Sequence, residues 1–272
     1  MLTIFGSLFG CAEKHVVDDI IGVSLFESGM DRNASYSYGL VREGDLWYLS
    51  AECGNVGRHE HFDCLYLPVD ADSILDVIND GGYIKKTRSK KLSAVFAPDT
   101  PSRGVMLAFS DSATQSAAIS APDLRDAFVR LVASLEADIP VYSVDETTGL
   151  YLSANCMNAD VSYSFELFRD GGWHFSADCL IDDSRVGFEN ILVSDEDALA
   201  LIDIAFEEEL DMKVFTYREL PDGIEVTDAD TFSISMRFKK ELETANIRSE
   251  GLEDGFIALA RKYAGNEIPK EE

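Results

Sequence analysis

The chain is short of the residues that most chemistry uses. It carries four histidines in 272 residues: His15, His59, His61 and His174. It has no G-x-S-x-G elbow, no P-loop, no G-x-G-x-x-G and no H-E-x-x-H. The common hydrolase, nucleotide-binding and zinc-protease signatures are therefore missing. Long apolar runs are missing too, since no stretch approaches the ~18 residues that read as a membrane span. Met1 to Gly10 is apolar and ends at Cys11, but no Lys or Arg precedes Lys14. Phe9 is also too bulky for a lipoprotein cleavage box, so the segment does not read as a leader. Five cysteines at irregular spacing, Cys11, Cys53, Cys64, Cys156 and Cys179, do not form a disulfide framework. Reduced thiols in a cytoplasmic protein are expected.

Positive charge is the scarcest commodity. Against 50 acidic residues stand 23 basic ones, a net charge of −27. The imbalance is uneven: residues 1–142 hold 12 basic and 20 acidic residues, and the remainder holds 11 and 30. The first part thus carries −8 and the second −19. Such a surface repels nucleic acid and anionic membranes and attracts basic partners.

What the chain does have, it has twice. Met30 to Glu43 reads MDRNASYSYGLVRE, and Met157 to Asp170 reads MNADVSYSFELFRD, 127 positions later. The match runs on from Trp47 to Cys53 into Trp173 to Cys179, and Leu124 to Phe128 returns as Leu252 to Phe256. A period of this length is a domain, not a solenoid unit. The expected organisation is a tandem duplication, with a first repeat in 1–142 (recognisable from about residue 22) and a second in 143–272.

Both copies alternate with period two. Tyr36, Tyr38 and Leu40 share a parity, as do Tyr163, Phe165 and Leu167. Trp47, Leu49, Ala51 and Cys53 share one, matched by Trp173, Phe175, Ala177 and Cys179, so both tryptophans are expected in the core. Gly44 and Gly171 suit hairpin turns between these strands. A further strand near Phe62–Leu67 and Phe188–Val193 leads into an acid-capped helix. Strands are expected again at Ser93–Phe96, Val105–Phe109 and Ala117–Ile119, with partners at Gly223–Val226, Phe232–Phe238 and Thr244–Ile247. A closing helix carries Leu124, Phe128 and Leu131, or Leu252, Phe256 and Leu259. Each copy is read as α+β, a mainly antiparallel sheet with two helices.

Several clusters invite a chemical reading. Cys53, His59, His61 and Cys64 offer zinc-type ligands, but the spacing matches no standard finger, and Cys179 repeats Cys53 where no histidine follows. A small buried thiol accounts for both copies, so no metal is expected. Asp70-x-Asp72, Asp195-x-Asp197 and Asp228-x-Asp230 lack the glycine and distal glutamate of a calcium loop, and the first two sit where helix caps are expected. Lys85 to Lys91 holds five basic residues without interleaved aromatics and reads as a solvated loop or as an internal electrostatic tie to the acidic second repeat. Ser50 and Ser176 lie beside outward carboxylates with no recurring histidine, which makes no triad. No catalytic residue and no cofactor is expected.

The function expected is non-enzymatic: an acidic protein-binding module docking a basic partner, in its specific form an immunity protein or inhibitor of a nuclease toxin. The alternatives are an assembly subunit and an enzyme with a site between the repeats. The expected docking residues are Glu207, Glu208, Glu209 and Asp211, because acids beyond a helix C-terminus oppose its dipole and are not explained by local stability.

Overall fold

The computed structural model describes residues 15–28, 35–56, 59–89, 102–155, 162–181, 184–218, 231–239 and 241–267. Alternation in the sequence becomes alternation in burial. In β8 (Tyr163–Arg169), Tyr163, Phe165 and Leu167 point into the core while Ser164 is exposed. β9 (Trp173–Ile181) buries Trp173, Phe175, Ala177, Cys179 and Ile181 in the same way. The turns that join β2 (Tyr36–Glu43) to β3 (Leu46–Val56) and β8 to β9 hold Gly44 at φ 59° and Gly171 at φ 71°. That left-handed conformation favours glycine.

The two copies make the same sheet. The first has the order β4-β3-β2-β1-β5-β6, adding β1 (Ile20–Ser28), β4 (His59–Val69), β5 (Ser102–Phe109) and β6 (Thr114–Ala117). The second has β10-β9-β8-β7-β11-β12, with β7 (Thr147–Asn155), β10 (Ser184–Val193), β11 (Thr231–Phe238) and β12 (Glu241–Ala245). Both are six-stranded and antiparallel. Even the register agrees: Gly22 faces Val41, and Gly149 faces Phe168. The chain is an α+β tandem duplication.

The equivalence also reaches back past residue 22. His15 stacks on Phe109 at 4.0 Å, and Tyr142, 127 positions on, stacks on Phe238 at 4.1 Å. Each ring then bonds an acid on the following turn or strand, His15 to Asp111 and Tyr142 to Glu241. Single 3-10 turns follow at Val17–Asp19 and Val144–Glu146.

Helices α1 (Asp72–Asp80), α2 (Tyr83–Ser89) and α3 (Pro122–Asp138) belong to the first copy, and α4 (Asp195–Glu207), α5 (Leu210–Thr216) and α6 (Glu250–Glu267) to the second. Of the two expected caps that fall on described residues, Ser194 caps α4, whereas α1 starts at Ala71 without a side-chain cap and Asp70 only braces the turn before it. Asp70 Oδ1 accepts the Asp72 amide at 2.9 Å, and Ser194 Oγ accepts that of Asp197 at 3.2 Å. Short α2 and α5 are additions that the sequence pattern did not separate. They correct one reading, because Lys85–Ser89 is helical and not a loop, with the Lys86 ammonium 4.4 Å from the Tyr83 ring centroid. Lys90 and Lys91 lie outside the described residues, as do Ser93–Phe96 and Gly223–Val226.

By contact the chain divides into two compact units. One comprises residues up to Trp47 with Val69–Leu131, the other Tyr48–Pro68 with residues from Val132 onward. In the first, Tyr38 stacks on Phe128 at 4.9 Å. In the second, the equivalent Phe165 stacks on Phe256 at 5.1 Å and on Phe175 at 6.4 Å. Full burial of one such ring contributes about 1.5–3 kcal/mol. Also within the second unit, β4 is fastened to the end of α5. Leu65 and Tyr217 form a parallel bridge, the Arg218 amide donates to Leu65 O at 3.0 Å, and Thr216 Oγ1 donates to Asp63 O at 2.8 Å.

Candidate functional site

The expected docking acids fall at the joint between α4 and α5, and their surroundings differ. Glu207 ends α4 and is exposed. Glu208 is half-buried, and its carboxylate accepts the Ser249 hydroxyl at 2.5 Å. Ser249 in turn accepts the Leu252 amide at 3.0 Å at the start of α6. Glu208 therefore brings negative charge to a helix N-terminus, where the dipole favours it. Gly251 leaves the room for its carboxylate. Glu209 sits at φ 57° as the residue before α5, and Asp211 lies in the first turn of α5. Opposition to a helix dipole thus describes Glu207 alone of the four acids.

α4 itself holds five acids and no base. Asp195, Glu196 and Asp197 occupy its first turn, where capping and the dipole account for them. Asp203 and Glu207 lie further along, exposed and four residues apart, on the same face as exposed Leu199. Leu192, just before the helix, is 68% exposed.

Cys53, Cys64 and Cys179 are buried and not disulfide-bonded. Burial pushes the Cys64 thiol up to about 12, and that of Cys179 also rises through burial. Cys64 Sγ donates weakly to Leu49 O at 3.8 Å. His61 is half-buried, while the side chain of His59 lies outside the described residues. Among the described residues no group of three or more His, Cys, Asp or Glu side chains is arranged to hold a metal ion. Asp228 and Asp230 lie outside them. No described helix is long and apolar enough to cross a membrane.

The outer face of the second sheet forms a shallow depression of about 950 Å³ between Ser164, Glu166, Ser176, Asp178 and Asn190. Two of its polar side chains are engaged internally. Ser176 Oγ accepts the Asn190 amide at 3.0 Å, and Arg185 grips Asp178 with two bonds of 2.6 Å. His174 Nε2 bonds Asp170 O at 3.1 Å and serves no hydroxyl. A nucleophile and its base are not assembled there.

A second depression, about 580 Å³, opens in the first compact unit beside Trp47. Asp18, Arg42, Asp45, Asp70 and Asp72 share its wall. Parity placed Trp47 in the core with Trp173, and this is corrected: Trp173 is 2% exposed, whereas Trp47 is only half-buried. The turn before Trp47 is one residue longer than its counterpart, Arg42-Glu-Gly-Asp-Leu-Trp47 against Arg169-Asp-Gly-Gly-Trp173. That drop in spacing from 127 to 126 was the sequence signal for a changed environment. No family model, no curated protein and no solved structure matches this chain.

Proposed function

We propose that the protein is a non-enzymatic binding module that docks a basic protein partner through the acidic face of its second copy. In the specific form, the partner is a cationic toxin such as a nuclease, and the chain is its immunity protein or inhibitor. The observation that carries this reading is the surplus acidity of α4. Glu207 is exposed in the last turn, where the helix dipole disfavours it, and Asp203 adds a second exposed acid one turn earlier, within a part of the chain that carries −19. Leu199, one turn before Asp203 on the same face, adds exposed apolar surface beside those charges. Glu208 supports the surface through its bond to Ser249, and Glu209 and Asp211 extend the negative potential along α5.

Exposed charges act mainly on encounter. Partners captured from a lysate at low salt should be basic and should elute as salt rises. Against such a partner, Asp203→Lys with Glu207→Lys should slow association about ten-fold while changing dissociation much less. An unchanged association rate at low salt, in a variant that melts like the parent, overturns the reading.

A further inference from the structure

Trp47 and Trp173 hold the same place in the two copies, and the second copy shows what that place accepts. Over the Trp173 ring stands the guanidinium of Arg169, 5.7 Å from the centroid. Arg42 is the counterpart of Arg169, but its Nε donates to Gly44 O at 3.2 Å. In the first compact unit the described cations over rings are Lys86 on Tyr83 and Arg125 on Tyr36. Among the described residues none stands over Trp47.

The half-buried indole instead faces the 580 Å³ depression, whose wall sets four carboxylates, Asp18, Asp45, Asp70 and Asp72, against one guanidinium. Asp70 is partly engaged by the Asp72 amide, while all four are exposed at the surface. An aromatic face attracts cations through its quadrupole, and flanking carboxylates add Coulomb attraction to the same charge. The volume lies within the range of small-ligand sites.

We propose that this pocket binds a guanidinium or alkylammonium group, laid over Trp47 as Arg169 is laid over Trp173. The ligand contributes from outside the cation that the second copy supplies from its own chain. Asp45 and Asp72 pair with its charge, and Asp18 sets the potential that draws it in. This site is separate from the acidic face of α4, so reversing Asp203 and Glu207 leaves it intact, and either assignment can fail without the other.

The test is a titration of the full chain, following the indole N–H resonances of its two tryptophans. The probes are argininamide, its neutral analogue citrullinamide, and the capped tripeptide Gly-Arg-Gly. Argininamide should move the resonance that Trp47→Phe removes, saturably and less strongly as salt rises, while citrullinamide leaves it in place. Asp45→Asn with Asp72→Asn, both at exposed positions, should weaken binding about ten-fold. Saturation by argininamide identifies a free small cation as sufficient. Saturation by the tripeptide alone identifies a polypeptide side chain as the source. The proposal fails if neither cationic probe moves the Trp47 resonance, if citrullinamide moves it equally, or if the double variant binds with unchanged affinity.

Discussion

At Cys64, in β4, the residue is 2% exposed, and burial lifts its thiol from an ordinary 9.0 to about 12. Cys179 is lifted in the same direction by the same cause. A thiol is neutral when protonated, so a raised folded value favours the folded state only while the thiol stays protonated. Its contribution is fully present below pH 9 and is lost as pH rises toward 12. The thiolate is the reactive species, so alkylating reagent at pH 8 should leave Cys53, Cys64 and Cys179 almost untouched in the folded protein. All three should label rapidly in denaturant, and peptide mass spectrometry reads the difference site by site. Rapid native labelling of any of the three would contradict its burial. Cys53 and Cys179 were legible as buried because each ends an apolar strand face. Trp47 was not, because parity fixes which face a side chain joins and not how completely that face is covered.

Among the elements, α4 and α6 are locked together through Asp197. Asp197 accepts from Lys262 Nζ at 2.6 and 2.7 Å, from Ser194 Oγ at 2.7 Å and from the Tyr263 hydroxyl at 2.8 Å. The Lys262 bond leads in holding its carboxyl below the usual value of 3.8, with Ser194 and Tyr263 adding to it. A lowered folded value gives stability that is present above pH 3.8 and lost as pH falls through the lowered value. Asp197→Asn should therefore lower Tm by a few degrees at neutral pH. The gap from the parent should close as pH falls below 3.8, and a gap that stays constant through the acid range would remove Asp197 from the account. The sequence announced the start of α4 through its acids and Ser194, since capping is local chemistry. It did not announce the partner Lys262, which lies 65 positions away and is set by packing. For the same reason Glu208 read as surplus charge, because its partner Ser249 is 41 positions distant.

For the molecule as a whole, duplication was readable because both copies keep their strand parity, turn glycines and closing-helix residues. Less readable is how the β3–β4 hairpin of the first copy comes to share a compact unit with the second copy's helices. The Tyr217 hydroxyl donates to Asp63 Oδ2 at 2.5 Å, and burial followed by this bond pushes its phenol well above the ordinary value. Thr216 and the Leu65 bridge fix the same two residues of β4, so the tie rests on a few adjacent bonds. Tyr217→Phe keeps the ring and removes one donor, leaving a partly buried carboxylate oxygen short of a partner. The expected cost is about 1–2 kcal/mol. Because the substitution acts at the tie, hydrogen exchange should quicken in residues 61–67 and 212–217 together. The β1–β2 pair, in the other compact unit, should keep its protection. If α5 loosens while β4 does not, the hairpin is held by its own sheet alone and the tie between the copies adds nothing to the hairpin's stability.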